Sequence, residues 1–406
     1  MKVMIVNKSN TSGGAGRAAY RLHHALRCNG VNSCMLVGSK DGYEKEVFEV
    51  YNKKNKQLHL FRYVLDSIPV RLYKNNKALF SPSIIPAGKI VKKINESDVD
   101  IVHLHWICNG LISIEDIGKI QKPIVFSLHD MWLYTGGCHY DCGCGKYKSE
   151  CGNCPVLGSN RKIDLSRIGF ERKRKLFTKK NNIVVVGLSN WMSECARSSR
   201  ILKDKQIITL PNPIDAGKYQ LVDKKIARKL HGLPVTKKLV GCFASKDSRK
   251  GLEIVKKTLI ELNDENIEVV VIGEAIKKNV DSMCSIYNMG VLKDDVSLRL
   301  FYNSLDVMMV PSIQENLSNV IMESLACGTP VVCFKVGGNV DLVNHKVNGY
   351  LANECSVKEM ISGIRWLIKN NIKNKLGINA RVKIEEQYDM NRVSRMYEEV
   401  YQNLLR

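Results

Sequence analysis

The chain has 406 residues, of which 44% are hydrophobic and 25% charged, and a formal charge of +22 at pH 7. That length is too great for one typical core and implies two domains of ordinary soluble composition. No apolar run reaches the ~18 residues a bilayer-crossing helix needs, so the sequence contains no transmembrane helix.

Met1-Lys-Val-Met-Ile-Val opens the chain as a first strand rather than a secretory leader, since no small-residue cleavage site follows. After the polar loop 7–16, a helix runs from Arg17 to Asn29 and stops at Gly30; a second strand covers Val31–Val37. Residues 51–95 are mostly helical and basic, broken by Pro69, Pro82 and Pro86. Strands at Asp100–Leu104 and Pro123–Leu128 end in His103-Leu-His105-Trp106 and His129-Asp130. A Gly/Cys-rich insertion, 136–155, precedes a basic helical stretch over 165–180, the strand Ile183–Leu188 and a short strand at Ile207–Leu210. Pro211-Asn-Pro213 then marks a domain boundary. Beyond it strands recur at Leu239–Phe243, Ile267–Ile272, Val307–Val310 and Val331–Phe334, with helices between. Alternation of this kind on both sides of a linker predicts two doubly wound α/β sheets facing each other. The domains are expected at 1–210, containing the insertion 136–155, and at 211–390. A final helix, 391–406, would pack back towards the first domain with Val393, Met396, Val400 and Leu404 as its apolar face.

Charge and cysteine bound the setting. Residues 1–200 carry 32 Lys+Arg against 16 Asp+Glu, and residues 201–406 carry 30 against 24. A basic first half fits an anionic partner such as membrane lipid, a lipid diphosphate or nucleic acid, although solubility charge and codon bias also contribute. Most of the 14 cysteines stand singly in apolar contexts, which suits a reducing cytosol. The localisation expected is cytoplasmic, with peripheral contact to the inner face of the plasma membrane.

The richest segment is Glu315-Asn-Leu-Ser-Asn-Val-Ile-Met-Glu323, which follows an apolar strand and runs into a helix closed by Gly328-Thr-Pro330. Its loop lies at the carboxyl end of a strand, where open α/β sheets bind ligands. The amides of Leu317, Ser318 and Asn319 at the helix start suit an anion such as a diphosphate. Glu323 suits a ribose, and Glu315 sugar hydroxyls. Ser248-Arg249-Lys250-Gly251 can neutralise a leaving diphosphate or be a solvated basic turn. Gly13 and Gly14 allow close approach to a phosphate. They overlap Gly14-Ala-Gly16-Arg-Ala-Ala19, a partial dinucleotide fingerprint that six polar residues separate from its strand. Its acidic partner would be Asp41. His129 stands beside Asp130 ahead of a Gly-Gly turn and is a candidate at the reacting centre; His103 and His105 are weaker ones. Cys138, Cys144, Cys151 and Cys154 form a C-x5-C-x6-C-x2-C series, read either as a structural zinc site or as a thiol-rich loop without metal. Asp98-Val-Asp100 begins a strand, away from the ligand end, and is read as structural. Arg161–Lys180 mixes nine basic residues with Ile163, Leu165, Ile168, Phe170, Leu176 and Phe177. It is either a lipid-binding amphipathic helix or a solvated cover.

Together these residues resemble the retaining glycosyltransferases of the GT-B fold, glycosyltransferase family 4, over nearly the whole chain. The segment from Glu315 to Val332 is similar to the family's E-x7-E motif. Gly13-Gly14, Pro211-Asn-Pro-Ile-Asp215, Lys250-Gly251 and Gly337-Gly338 support it. The stretch HLHW…SLHDMWLYTGGCHY…CGNCP resembles a subgroup from bacterial capsule and exopolysaccharide clusters. The resemblance implies that Glu323 binds the nucleotide ribose and Glu315 the donor sugar and its oxocarbenium-like transition state. Lys250 would hold the diphosphate with Arg249, Gly13, Gly14 and the backbone at Asn316, Leu317, Ser318 and Asn319. Gly273 and Glu274 would lie near the base, and His129 near the anomeric centre. The family's usual Arg five positions before the Lys is Ser245 here, with Lys246 or Arg249 as substitutes. The implied donor is a UDP- or GDP-sugar and the implied acceptor a saccharide, lipid-linked in this subgroup. No catalytic metal and no nucleic-acid partner are expected. Two other classes remain open: a nicotinamide-dependent oxidoreductase on Gly14-Ala-Gly16, and a non-catalytic nucleotide-sugar or nucleic-acid binder on the charge.

Overall fold

The computed structural model describes all residues except 52–55, 77, 263, 277–283 and 372–373. The chain divides into two compact units, Met1–Pro213 with Asn391–Arg406, and Ile214–Met390. Each is built on a parallel sheet flanked by helices.

In the first unit the strands are β1 (Lys2–Ser9), β2 (Asn32–Ser39), β3 (Val47–Glu49), β4 (Ile101–Leu104), β5 (Ile124–Leu128), β6 (Ile183–Gly187) and β7 (Gln206–Thr209). Their spatial order is β3-β2-β1-β4-β5-β6-β7. Strands β4, β5 and β6 are buried along their whole length, which is why they read as unbroken apolar runs and not as alternating ones. The second unit holds β8 (Lys238–Ala244), β9 (Ile267–Gly273), β10 (Ile286–Asn288), β11 (Val307–Val310), β12 (Val331–Phe334) and β13 (Gly349–Ala352), ordered β10-β9-β8-β11-β12-β13. Strand order reverses between β1 and β4 in one unit and between β8 and β11 in the other. At such a reversal the loops leave to opposite sides and open a crevice at the carboxyl ends of the strands.

Several local expectations change. The first helix begins at Gly13, not Arg17, so both glycines of the pair lie in its opening turn. Pro69 does not break its segment but sits in the last turn of the helix Lys56–Arg71. The short strands β3, β10 and β13 carried no clear pattern. The helix Met390–Leu405 buries Val393, Ser394, Tyr397 and Tyr401, whereas Met396, Val400 and Leu404 are only half-buried. Two tyrosine hydroxyls that find polar partners outweigh the purely apolar face. The helix Leu165–Lys179 turns Phe170 and Phe177 into the core, leaving Ile163 and Ile168 exposed. The six apolar residues of 161–180 therefore form no single outward stripe.

Candidate active site

In the second unit the loops after β8 and β11, on either side of the order reversal, meet through Lys250 and Glu315. The short turn Ser248–Lys250 is started by Asp247, whose carboxylate accepts from the Arg249 amide at 3.1 Å. Gly251 ends it at φ +72°, and a Cβ there would lie 2.1 Å from the Pro311 carbonyl oxygen. The Ile313 amide donates to the Arg249 carbonyl at 2.8 Å, tying the two loops together. Lys250 then points its ammonium at the Glu315 carboxylate and pairs with it. Glu315 is 6% exposed. A third loop, after β12, closes on its backbone: the Gly338 amide donates to the Glu315 carbonyl at 3.2 Å, and a Cβ on Gly337 would come within 1.9 Å of that oxygen.

The helix Asn319–Ala326 starts beside this pair, with Ser318 as its N-cap accepting from the Ile321 amide at 3.4 Å. Asn316, Leu317 and Ser318 are all buried. Glu323 is 2% exposed and accepts a 2.9 Å hydrogen bond from the Tyr302 hydroxyl. Burial and the neighbouring Glu323 push the Tyr302 phenol well above its usual value. Tyr302 comes from the helix Asp295–Ser304 and has no signal in the local sequence. Gly273 and Glu274 follow β9: the Glu274 amide donates to the Ala244 carbonyl at 2.9 Å, and its exposed carboxylate is 3.7 Å from Lys246. Arg249 pairs with Asp247 at 2.5 Å. A cavity of about 410 Å³ in the same unit lies at the other end of the sheet, lined by Lys238, Asp306 and Pro330 at the amino ends of β8, β11 and β12.

Gly13, Gly14 and His129 belong to the first unit, so the site residues named from the sequence divide between the two. At the carboxyl ends of β4 and β5, three imidazoles lie side by side. His105 and His129 have ring centroids 5.0 Å apart, with His105 Nδ1 at 2.8 Å from His129 Nε2. The His103 and His105 ring centroids are 4.2 Å apart, with the planes tilted by 39°. His103 also spans Tyr401 Oη at 2.7 Å and Ser127 Oγ at 2.8 Å. Burial lowers His103 to about 3 and His129 to about 4, Asp130 opposing the second shift, so these rings are neutral at pH 7. Beside them Asp130 accepts from Trp106 Nε1 at 2.9 Å and lies 2.6 Å from His139 Nδ1. Beneath the turn after Asp130, buried Lys173 donates to the carbonyls of Trp132 and Thr135 and lies 3.9 Å over the Trp132 ring. Burial lowers it to about 7. The sequence marked Lys173 only as one charge in a basic run.

Asp41 accepts from Thr11 Oγ1 at 2.8 Å and so closes the loop after β1. Asp98 and Asp100 lie at the amino end of the sheet, 2.6 Å from the Lys2 ammonium and 2.7 Å from the Lys2 amide. Of the five cysteines in the insertion, Cys138, Cys151 and Cys154 are buried and Cys142 is exposed. Among the described residues no three His, Cys, Asp or Glu side chains are placed to hold a metal ion. Cys138 and Cys154 pack with Val70, Phe80, Val156 and Leu157, while Cys151 packs into the main core of the unit. Burial raises Cys151 to about 12 and favours its thiol.

Residues 223–383, which include Lys250, Glu315 and Glu323, match the family model described as "Glycosyl transferases group 1". The capsular polysaccharide biosynthesis glycosyltransferase CapM of Staphylococcus aureus is 23% identical over 235 residues, 55% of this chain and 62% of that protein. The putative colanic acid biosynthesis glycosyl transferase WcaC of Escherichia coli K12 is 24% identical over 345 residues, 82% of each chain. Among solved structures, Anabaena Alr3699/HepE in complex with UDP and glucose superposes with a TM-score of 0.70 at 17% identity, covering 99% of this chain and 100% of that one. The two Rossmann-like units are those of the GT-B fold. Among the described residues no helix is long and apolar enough to cross a membrane.

Proposed function

We propose that this chain is a retaining, metal-independent glycosyltransferase that moves a sugar from a nucleotide-diphosphate donor to a saccharide acceptor carried on lipid, in the assembly of a surface polysaccharide. The observation that carries the proposal is the Lys250–Glu315 pair where strand order reverses, within the matched domain. Relatives named for capsular and colanic acid biosynthesis support the polymer, and a neighbour solved with UDP and glucose supports the donor class.

A diphosphate entering this crevice would take the Lys250 ammonium from Glu315 and meet the first amides of the helix Asn319–Ala326. These fixed positive groups stabilise the charge that develops as the anomeric C–O bond breaks. Glu315, freed from the lysine, would turn to the hydroxyls of the sugar and the positive anomeric carbon. The acceptor hydroxyl forms the new C–O bond on the face the diphosphate leaves, and its proton passes to the departing phosphate oxygen. Tyr302 holds the Glu323 carboxylate in one orientation, suited to accepting from two ribose hydroxyls.

The test is a thermal-shift series of the purified chain with UDP-sugars, GDP-sugars and NAD(H), alongside Glu323→Ala. A donor at ~100 times its dissociation constant stabilises the fold by about 2.7 kcal/mol. A shift with one nucleotide-sugar class, lost in the variant, is expected. A shift with NAD(H) alone would overturn the proposal. NMR of the product's anomeric proton checks retention.

A further inference from the structure

The helix Lys56–Arg71 is amphipathic in the inverted sense. Its inward face is anchored by polar groups. The Arg62 guanidinium donates to the carbonyls of Ile85, Pro86 and Gly110 at 3.0, 2.7 and 2.9 Å. One turn on, the buried Asp66 carboxylate accepts from the Ile84 amide at 2.8 Å. The opposite face carries Leu60, Val64 and Ile68 at intervals of four, with Phe61 beside them and Leu72 just past the helix end, and all five are exposed, Leu72 by 78%. Globular helices turn that stripe to the core. An outward stripe of this length marks an interaction surface.

The charge around the stripe indicates its partner. Arg71 and Lys74 are exposed at the end of the helix. The segment bearing exposed Arg161, Lys162 and Ile163 is held against the same end: the Leu165 amide donates to Tyr73 Oη at 3.1 Å, and Leu165 and Tyr73 pack against the apolar cluster that contains Val70. Across residues 56–80 and 156–170 the only acidic side chains are Asp66 and Asp164, both buried. An apolar stripe with a basic rim and no exposed carboxylate in these two segments suits the headgroup boundary of an anionic bilayer. We infer that this face of the first unit docks the protein on an anionic membrane surface, the apolar side chains entering the acyl boundary and the rim meeting lipid phosphates. The inference does not depend on the transferase reading, because docking is measured without donor or acceptor.

The experiment is flotation of the full chain with phosphatidylcholine vesicles containing phosphatidylglycerol and with pure phosphatidylcholine vesicles. Wild type, Phe61→Asp/Leu72→Asp, Arg71→Glu/Lys74→Glu and a control, Leu230→Asp in the second unit, are compared after equal thermal midpoints confirm folding. Expected are binding to the anionic vesicles that weakens with salt, about tenfold lower partitioning for each double variant, and no change for the control. Wild type that stays unbound, or double variants that float like wild type, would overturn the inference. So would sedimentation showing a dimer that Phe61→Asp/Leu72→Asp dissociates while neither protein binds vesicles, which would make the face an interface between copies.

Discussion

The two units share one topology and place different chemistry at the same point of it. Where β8 and β11 part, the second unit brings opposite charges together, Lys250 on Glu315, with a second carboxylate, Glu323, a turn or so deeper. Next to the point where β1 and β4 part, at the ends of β4 and β5, the first unit offers imidazoles held neutral by burial, with His103 and His105 buried and His129 partly buried. A doubly wound sheet supplies the crevice, and the side chains at its strand ends decide whether charged or neutral groups line it.

The largest test of that contrast is Glu315→Ala. Turnover should fall about 10²–10³-fold, as on loss of one transition-state contact, while the donor-induced thermal shift persists. An unchanged turnover would remove the charged pair from the mechanism. Glu323→Ala should act on binding instead. Losing charge-assisted hydrogen bonds of ~1.5–3 kcal/mol raises the donor KM roughly ten- to hundredfold with kcat little changed. A large fall in kcat with KM unaltered would put Glu323 at the reacting carbon instead.

The neutral half of the comparison is tested by pH. The folded-state pKa values of His103 and His129, about 3 and about 4, lie below the unfolded value near 6.5. Stability is therefore fully present above pH 6.5 and lost as pH falls towards 4. At pH 5 each ring that stays neutral costs about 2 kcal/mol of stability. Denaturant midpoints measured at pH 7 and pH 5 check this, and a midpoint that does not fall would show the rings protonated in the fold. His105→Phe sharpens the point, since it removes the partner of His129 Nε2. Turnover should drop about tenfold and its pH profile move, with donor binding intact. Asp98→Asn is the smallest case: its exposed pair with Lys2 stands at the wrong end of the sheet, and turnover should not change measurably.

Much of the fold was legible because buried parallel strands are unbroken apolar runs punctuated by Gly and Pro, as in Val307–Val310 before Pro311 and Val331–Phe334 after Pro330. The loop bearing Glu315 and the helix bearing Glu323 could be placed by the same rule. The anchors of those residues could not. Tyr302 lies 21 positions before Glu323, and Tyr401 lies 298 positions after His103. No local period records such a pair.

The residues by themselves determined the two α/β units, the strand ends that carry Lys250, Glu315 and His129, and the basic first half, because these follow from periodicity, turn chemistry and charge within short windows. Only the tertiary structure decided that Lys250 pairs with Glu315 and Glu323 with Tyr302. It also decided that Cys138 and Cys154 pack in one apolar cluster and Cys151 in another, and that the helix Lys56–Arg71 turns an apolar stripe outward. Those outcomes depend on which surfaces meet across long stretches of chain, and burial and hydrogen-bond satisfaction there are settled by packing.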